Sequence, residues 1–138
     1  MVLGAIVPLQ LESTSIGKTA ILLDNDVLIQ ETWLMWAKRA GVNLITFGSE
    51  EELFGSLEKV EKNTEFYIDY ELEGQRNGAE VAQDLFHAGF QNLILVTGHN
   101  LGALGSVPCV KATAGKHCPW KTQLSSARTS PDLLNQRP

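Results

Sequence analysis

The sequence lacks the features that mark several classes of protein. It has two cysteines in 138 residues, Cys109 and Cys118, and their spacing, without a second pair or a histidine cluster, matches no zinc or redox motif. The apolar N-terminal stretch has no basic region before it and is interrupted by Pro8, so we expect neither a signal peptide nor a membrane span. We therefore expect free thiols and a cytoplasmic location, with no membrane contact by this domain. A soluble piece of a larger membrane-bound protein would give the same pattern.

Basic residues are also scarce. The chain has 11 Lys and Arg against 16 Asp and Glu, a net charge of −5, and nucleic-acid binders normally have a basic surface. We therefore expect no direct contact with nucleic acid. The charge is uneven, because residues 1–108 carry 15 acids and 6 bases whereas residues 109–138 carry 1 acid and 5 bases. The first part of the chain thus concentrates carboxylates.

Short apolar runs alternate with amphipathic segments from residue 19 to about residue 120. This alternation is typical of a parallel sheet with helices on both faces, and the length fits one domain. We predict a doubly wound α/β domain over residues 19–120, with strands at 20–23, 43–47, 65–69, 93–97 and 110–113. Helices are predicted at 27–40, after the N-cap Ser49, and at about 79–88. In the first helix, Leu28, Thr32, Met35 and Trp36 follow helical spacing.

Three segments depart from this repeat. Only eleven residues separate Thr97 from Cys109, which is too few for a full crossover helix, so we expect a shortened fourth helix of one turn at most. Residues 1–18 are expected to be a linker or an extra N-terminal segment. Residues 121–138 are rich in polar residues and proline, and we expect a partly disordered C-terminal tail.

Polar side chains follow the ends of the predicted strands, where ligands bind in open parallel sheets. They are Asp24, Asn25 and Asp26 after the first strand, Asp69 after the third, Thr97 after the fourth and Lys116 after the fifth. Carboxylates packed together favour a hard cation such as Mg²⁺, and a nearby lysine can hold an anion. Together these groups predict a phosphoryl-transfer site in which a carboxylate is the nucleophile. Lys111 is the alternative candidate for the lysine of this site, but we expect it to lie within the fifth strand.

Four segments in this order resemble the receiver domain of bacterial two-component response regulators, the CheY-like domain. They are LLDND at 22–26, YIDYELEGQRNG at 67–78, LVTGHN at 95–100 and GKHCPW at 115–120. The resemblance implies a flavodoxin-like sheet with strand order 2-1-3-4-5. The last segment is similar to a subset of receivers found in hybrid sensor histidine kinases. We therefore expect the domain either to be free-standing or to belong to a hybrid histidine kinase, in which case it would be the cytoplasmic part of a membrane-bound sensor kinase.

The resemblance also implies a role for each residue of the site. Asp69 would accept a phosphoryl group from a phosphohistidine on a histidine kinase or phosphotransfer domain. Thr97 would donate a hydrogen bond to a phosphoryl oxygen, and Lys116 would pair with the phosphoryl group. The Mg²⁺ ligands would be Asp24, Asn25, Asp26, Asp69 and the main-chain carbonyl of Glu71. A homodimer is left open as a further partner arrangement.

The chain departs from the family pattern at three places in or near the site. Asn25 stands 44 positions before Asp69, where the family usually has an acid that binds the metal directly. The lost charge would cost on the order of 1 kcal/mol of metal binding in a partly solvated site. The usual Lys-Pro pair is replaced by KHCP, and Thr113 stands where the family has an aromatic switch residue.

These departures keep two other functions open. One is a pseudo-receiver, a binding module that keeps the fold without phosphorylation, which Asn25 favours. The other is a hydrolase with an aspartyl-phosphate nucleophile, for which Glu71 would supply the second acid two residues after Asp69.

Overall fold

Five parallel strands form one sheet in the order β2-β1-β3-β4-β5. The computed structural model of the chain describes residues 18–74, 76–98 and 107–121. The strands are β1 (Thr19–Leu23), β2 (Asn43–Phe47), β3 (Glu65–Asp69), β4 (Leu93–Thr97) and β5 (Ala112–Gly115). The predicted doubly wound α/β fold and its strand order are confirmed.

Three α-helices among the described residues connect the strands, and local sequence signals set their ends. They are α1 (Val27–Ala40), α2 (Glu50–Gly55) and α3 (Gly78–His87), and a 3₁₀ turn at Leu57–Lys59 follows α2. The side chains of Asp26 and Ser49 accept hydrogen bonds from main-chain N–H groups in the first turns of α1 and α2. Gly41 ends α1 with a φ of 77°, a left-handed conformation that glycine adopts without strain.

The sheet separates two apolar layers, because successive residues of each strand point to opposite faces. One layer contains Leu53 of α2 and Leu85 of α3 packed on alternate residues of β1, β3 and β4. The other contains Trp33 of α1 and Trp120, whose rings both meet the ring of Tyr67 edge-on. Helices thus cover both faces, and the carboxyl ends of the strands form one edge between the layers.

Two expectations about the elements are corrected. β5 begins at Ala112, two residues later than predicted, because residues 107–110 form a turn in which the Val110 N–H donates to the Val107 carbonyl. Lys111 therefore precedes β5. In α1, Trp33 and Ala37 are buried against the sheet and Trp36 of the predicted set packs beside them, whereas Leu28 of that set is 71% exposed.

Other expectations fall on residues outside the description. The N-terminal segment, the C-terminal tail beyond Lys121 and the shortened fourth helix concern residues 1–17, 122–138 and 99–106. Within the described ranges, no helix has both the length and the apolar character needed to cross a bilayer.

Candidate functional site

Two buried carboxylates and one ammonium group meet at the carboxyl edge of the sheet. Asp24 and Asp69 are each 1% exposed, and they follow or end the neighbouring strands β1 and β3. The Lys116 Nζ lies 3.2 Å from Asp24 Oδ2 and 3.1 Å from Asp69 Oδ1. The structure therefore brings together three of the residues that the sequence placed at this edge.

The turn after β1 holds Asp24 by its main chain and its side chain. The Asp24 N–H donates to the Phe47 carbonyl at 3.0 Å, and its carbonyl accepts from Gln30 Nε2 at 2.7 Å. Asp24 Oδ1 accepts from the Asp26 N–H at 2.8 Å, which leaves Oδ2 facing Lys116. The carboxylate is thereby fixed in one orientation.

Asp69 is fixed by the chain that follows it. Its Oδ1 accepts from the Glu71 N–H at 3.0 Å as well as from Lys116. The Gly78 N–H donates to the Tyr70 carbonyl at 2.9 Å, closing the loop between β3 and α3 at its neck. A Cβ added at Gly78 would stand 2.3 Å from the Asp69 carbonyl oxygen, so only glycine fits there.

The lysine approaches from the opposite side of the site. Gly115 is paired with Thr97 in the sheet, so Lys116 leaves β5 at the level where β4 ends. A Cβ added at Gly98 would touch the Lys116 stem at 4.0 Å, which shows that the stem passes over this glycine. By contrast, Lys111 Nζ contacts Glu65, the first residue of β3, and therefore lies at the other edge of the sheet.

Burial and mutual repulsion govern the charges of the site. Burial, followed by the charge of Asp24, raises the pKa of Asp69 to about 6, although Lys116 and the Glu71 N–H act in the opposite direction. Burial lowers the pKa of Lys116, but its contacts with Asp69 and Asp24 outweigh burial and raise that pKa above its ordinary value. One lysine therefore does not fully compensate two buried carboxylates, and the site favours a second cation.

Thr97 lies beside this cluster and is connected to it through Glu71. The Thr97 hydroxyl is buried at the end of β4 and donates to Glu71 Oε2 at 2.5 Å. Glu71 thus contacts Asp69 with its main-chain N–H and Thr97 with its side chain. From the sequence, the Glu71 carbonyl was predicted to bind Mg²⁺, and its side chain was considered only as the second acid of a hydrolase. The contact of this side chain with Thr97 was therefore missed.

Of the residues expected to bind metal, Asp26 has its carboxylate engaged elsewhere, whereas the expectation for Asn25 stays a prediction. The Asp26 side chain is exposed, and its Oδ1 accepts from the N–H groups of Leu28 at 2.9 Å and Ile29 at 3.4 Å. Its carboxylate caps α1, and this role could have been read from its place just before a helix. Asn25 is half-buried between the two aspartates in the chain.

Solved structures share this fold. A response regulator, TrrA from Thermotoga maritima, solved in complex with Mg²⁺-BeF, matches with a TM-score of 0.64 and 17% identity, covering 81% of this chain and 97% of its own. A CheY-like receiver domain from Methanospirillum hungatei matches with a TM-score of 0.62 and 19% identity, over 84% and 94% of the two chains. The chain has the receiver-domain fold. No protein-family model and no curated protein sequence matches it.

A third similar structure is described as containing a phosphorylated aspartic acid. It is a response regulator from Burkholderia pseudomallei with a calcium ion and citrate, with a TM-score of 0.63 and 15% identity, covering 88% of this chain and 75% of its own. The receiver folds that resemble this chain thus include proteins solved with a divalent cation or with a modified aspartate.

The donor set at the carboxyl edge of this receiver fold fits a hydrated Mg²⁺. Within the described ranges, no three acidic, histidine or cysteine side chains come together as metal ligands. The candidates are therefore the carboxylate pair Asp24 and Asp69 with a main-chain oxygen. Mg²⁺ is commonly bound through one or two carboxylates while it keeps several waters, and the excess negative charge of the pair favours it.

Two further groups that support the site were not predicted. Gln30 reaches back from α1 to the Asp24 carbonyl, and Arg76 in the loop after β3 contacts Glu50 of α2 at 2.6 Å and Asp84 of α3 at 2.8 Å. Each contact depends on the path of a loop, and neither follows from sequence periodicity. For the loop after β3, the available signal was Gly78 at the start of α3, which lies against Asp69.

Proposed function

We propose that this chain is a phosphoacceptor domain of two-component signal transduction and that Asp69 is the residue that is phosphorylated. The observation that carries the proposal is the contact of one lysine with two carboxylates that are almost fully buried. Burying two acids beside each other is costly, and sites retain such pairs where they bind a cation or perform chemistry. The receiver fold of the chain supports the same function.

The reaction we propose is an in-line phosphoryl transfer to Asp69. Both polar contacts of the Asp69 carboxylate with described residues fall on Oδ1, so Oδ2 is the oxygen assigned as nucleophile. A new P–O bond forms to Oδ2 while the P–N bond of a phosphohistidine breaks, and the imidazole leaves with a proton from solvent. The donor would be a histidine kinase or a phosphotransfer domain, including the kinase part of a hybrid protein.

The other residues hold charge around that transfer. Bound Mg²⁺ would neutralise oxygens of the phosphoryl group, and Asp24, Asp69 and the Glu71 carbonyl would hold it. Lys116 already lies 3.1 Å from Asp69, so its ammonium can exchange a carboxylate partner for a phosphoryl oxygen. The Thr97 hydroxyl would donate a hydrogen bond to another phosphoryl oxygen. We leave Asp26 out of the metal ligands because its carboxylate caps α1.

The test is phosphorylation by a small donor. The protein is incubated with acetyl phosphate and Mg²⁺, so that the P–O bond to the acetyl group breaks and acetate leaves, and the intact mass is then measured. We expect a gain of one phosphoryl group that requires Mg²⁺ and is lost in Asp69→Ala. Glu58→Ala is the control, because this exposed acid lies on the 3₁₀ turn after α2 and outside the carboxyl edge of the sheet. It should gain the phosphoryl group as the unmodified protein does.

The alternatives predict different results in the same experiment. A pseudo-receiver gains no mass at any Mg²⁺ concentration. A hydrolase releases inorganic phosphate from phosphate esters through many turnovers, whereas a phosphoacceptor is modified once and loses the group slowly. A gain that persists in Asp69→Ala would contradict the assignment of Asp69.

A further inference from the structure

The Thr97 hydroxyl already donates a hydrogen bond to a carboxylate of the protein itself. The hydroxyl donates to Glu71 Oε2 at 2.5 Å. Because Thr97 ends β4, this contact lies at the carboxyl edge of the sheet, where the phosphoryl group of the proposed function would arrive. A threonine hydroxyl has one proton to donate. It therefore cannot donate fully to Glu71 and to a phosphoryl oxygen at the same time.

The position of Glu71 brings its side chain within reach of Thr97. Its N–H donates to Asp69 Oδ1, which fixes its main chain beside the nucleophile. Arg76, further along the same loop, contacts Glu50 and Asp84 on two helices, which holds the far side of the loop. From this fixed main chain the Glu71 side chain reaches across to the end of β4. Its carboxylate offers anionic oxygens that accept hydrogen bonds, as a phosphoryl group does.

We propose that the Glu71 carboxylate occupies the subsite of one phosphoryl oxygen and must leave Thr97 before the aspartyl phosphate is formed. This proposal rests on the proposed function. Glu71 is a positioning residue, because it acts through Thr97 and slows phosphorylation. Hydrogen bonds to a charged acceptor are stronger than those to a neutral one. Replacing the carboxylate by an amide should therefore release the Thr97 hydroxyl more readily and increase the phosphorylation rate.

The experiment measures the rate of phosphorylation by acetyl phosphate at saturating Mg²⁺ in Glu71→Gln. We expect an increase of about fivefold, which corresponds to about 1 kcal/mol. Glu73→Gln is the matched control, because this exposed glutamate lies two residues further along the same loop and carries the same charge. Its rate should stay within about twofold of the original. This control separates the loss of one negative charge near an anionic donor from the loss of the contact with Thr97.

A second comparison tests whether Glu71 acts through Thr97. In a Thr97→Val background, Glu71→Gln should no longer increase the rate, because the hydroxyl is gone. Beryllofluoride binding in the presence of Mg²⁺ needs no transfer step and can be measured in the original protein, Glu71→Gln, Thr97→Val and the double variant. Glu71→Gln should increase the affinity for beryllofluoride in the original background but not in the Thr97→Val background.

The outcomes separate this proposal from the function it rests on. If Asp69 is phosphorylated and Glu71→Gln reacts at the original rate, the inference is wrong and the proposed function stands. An equal increase in the Thr97→Val background, or in Glu73→Gln, also overturns the inference. If no variant gains a phosphoryl group, the proposed function itself is wrong, and the inference is overturned with it.

Discussion

Replacing Asp69 by asparagine should make the protein more stable at neutral pH. The folded protein buries the Asp69 carboxylate beside Asp24, and these two effects raise its pKa from 3.8 to about 6. The folded state therefore binds the proton of Asp69 more tightly than the unfolded state does. Asparagine resembles the protonated acid in shape and charge, so Asp69→Asn removes the cost of the ionised form.

The size and sign of the effect follow from proton linkage. A pKa difference of about 2 units at about 1.36 kcal/mol per unit gives roughly 3 kcal/mol as an upper limit. Because the folded pKa is the higher one, the original protein gains stability from this group as the pH falls through 6 towards 3.8. The advantage of Asp69→Asn should therefore be about 2 to 3 kcal/mol at pH 7 and should nearly disappear at pH 4.

The assay is urea denaturation of both proteins at several pH values, with a chelator present to remove divalent cations. Tryptophan fluorescence can follow unfolding, since Trp33 and Trp120 are buried. Taking the difference between the two proteins cancels the titration of the other acids, provided that these are unaffected. A difference that is constant between pH 4 and 7, or one that grows as the pH falls, would refute the reasoning.

Two other substitutions test the metal site and the glycine beside it. Asn25→Asp should increase Mg²⁺ affinity by about fivefold to tenfold, because it restores a charge worth on the order of 1 kcal/mol beside the ion; isothermal titration of the protein with MgCl₂ measures it, and an unchanged affinity would place residue 25 outside the site. Gly78→Ala should lower the free energy of unfolding by about 1 to 3 kcal/mol, because the new methyl group would meet the Asp69 carbonyl. Urea denaturation measures this loss against Gly55→Ala, where a Cβ meets nothing within 4 Å, and equal stabilities would contradict the close approach at Gly78.

The central strands could be predicted from sequence because their apolar runs are bounded by polar residues. The predicted bounds of β2, β3 and β4 agree with the structure. β5 is an edge strand of small residues whose first two positions are exposed, so hydrophobicity did not fix where it begins. The face of α1 was predicted only in part: Trp33 and Trp36 pack against the core, whereas Leu28 is exposed. Several residues of this helix are apolar, and the sheet selects Trp33 and Ala37 among them.

The residues at the strand ends could also be predicted, because topology alone brings the ends of parallel strands together. The contact of Lys116 with Asp24 and Asp69 follows from that rule. The contact between Glu71 and Thr97 does not, since it depends on the conformation of the loop after β3. The helix-capping role of Asp26 competes with metal binding, and local hydrogen bonding decides the competition.

The most direct test of the central claim identifies the phosphorylated residue. After treatment with acetyl phosphate and Mg²⁺, borohydride reduces an aspartyl phosphate to homoserine, and peptide mass spectrometry locates the change. We predict homoserine at position 69 and nowhere else, and none when Mg²⁺ is omitted. Homoserine at another aspartate, or a phosphoryl group retained on a different residue type while Asp69 is unchanged, would contradict the account.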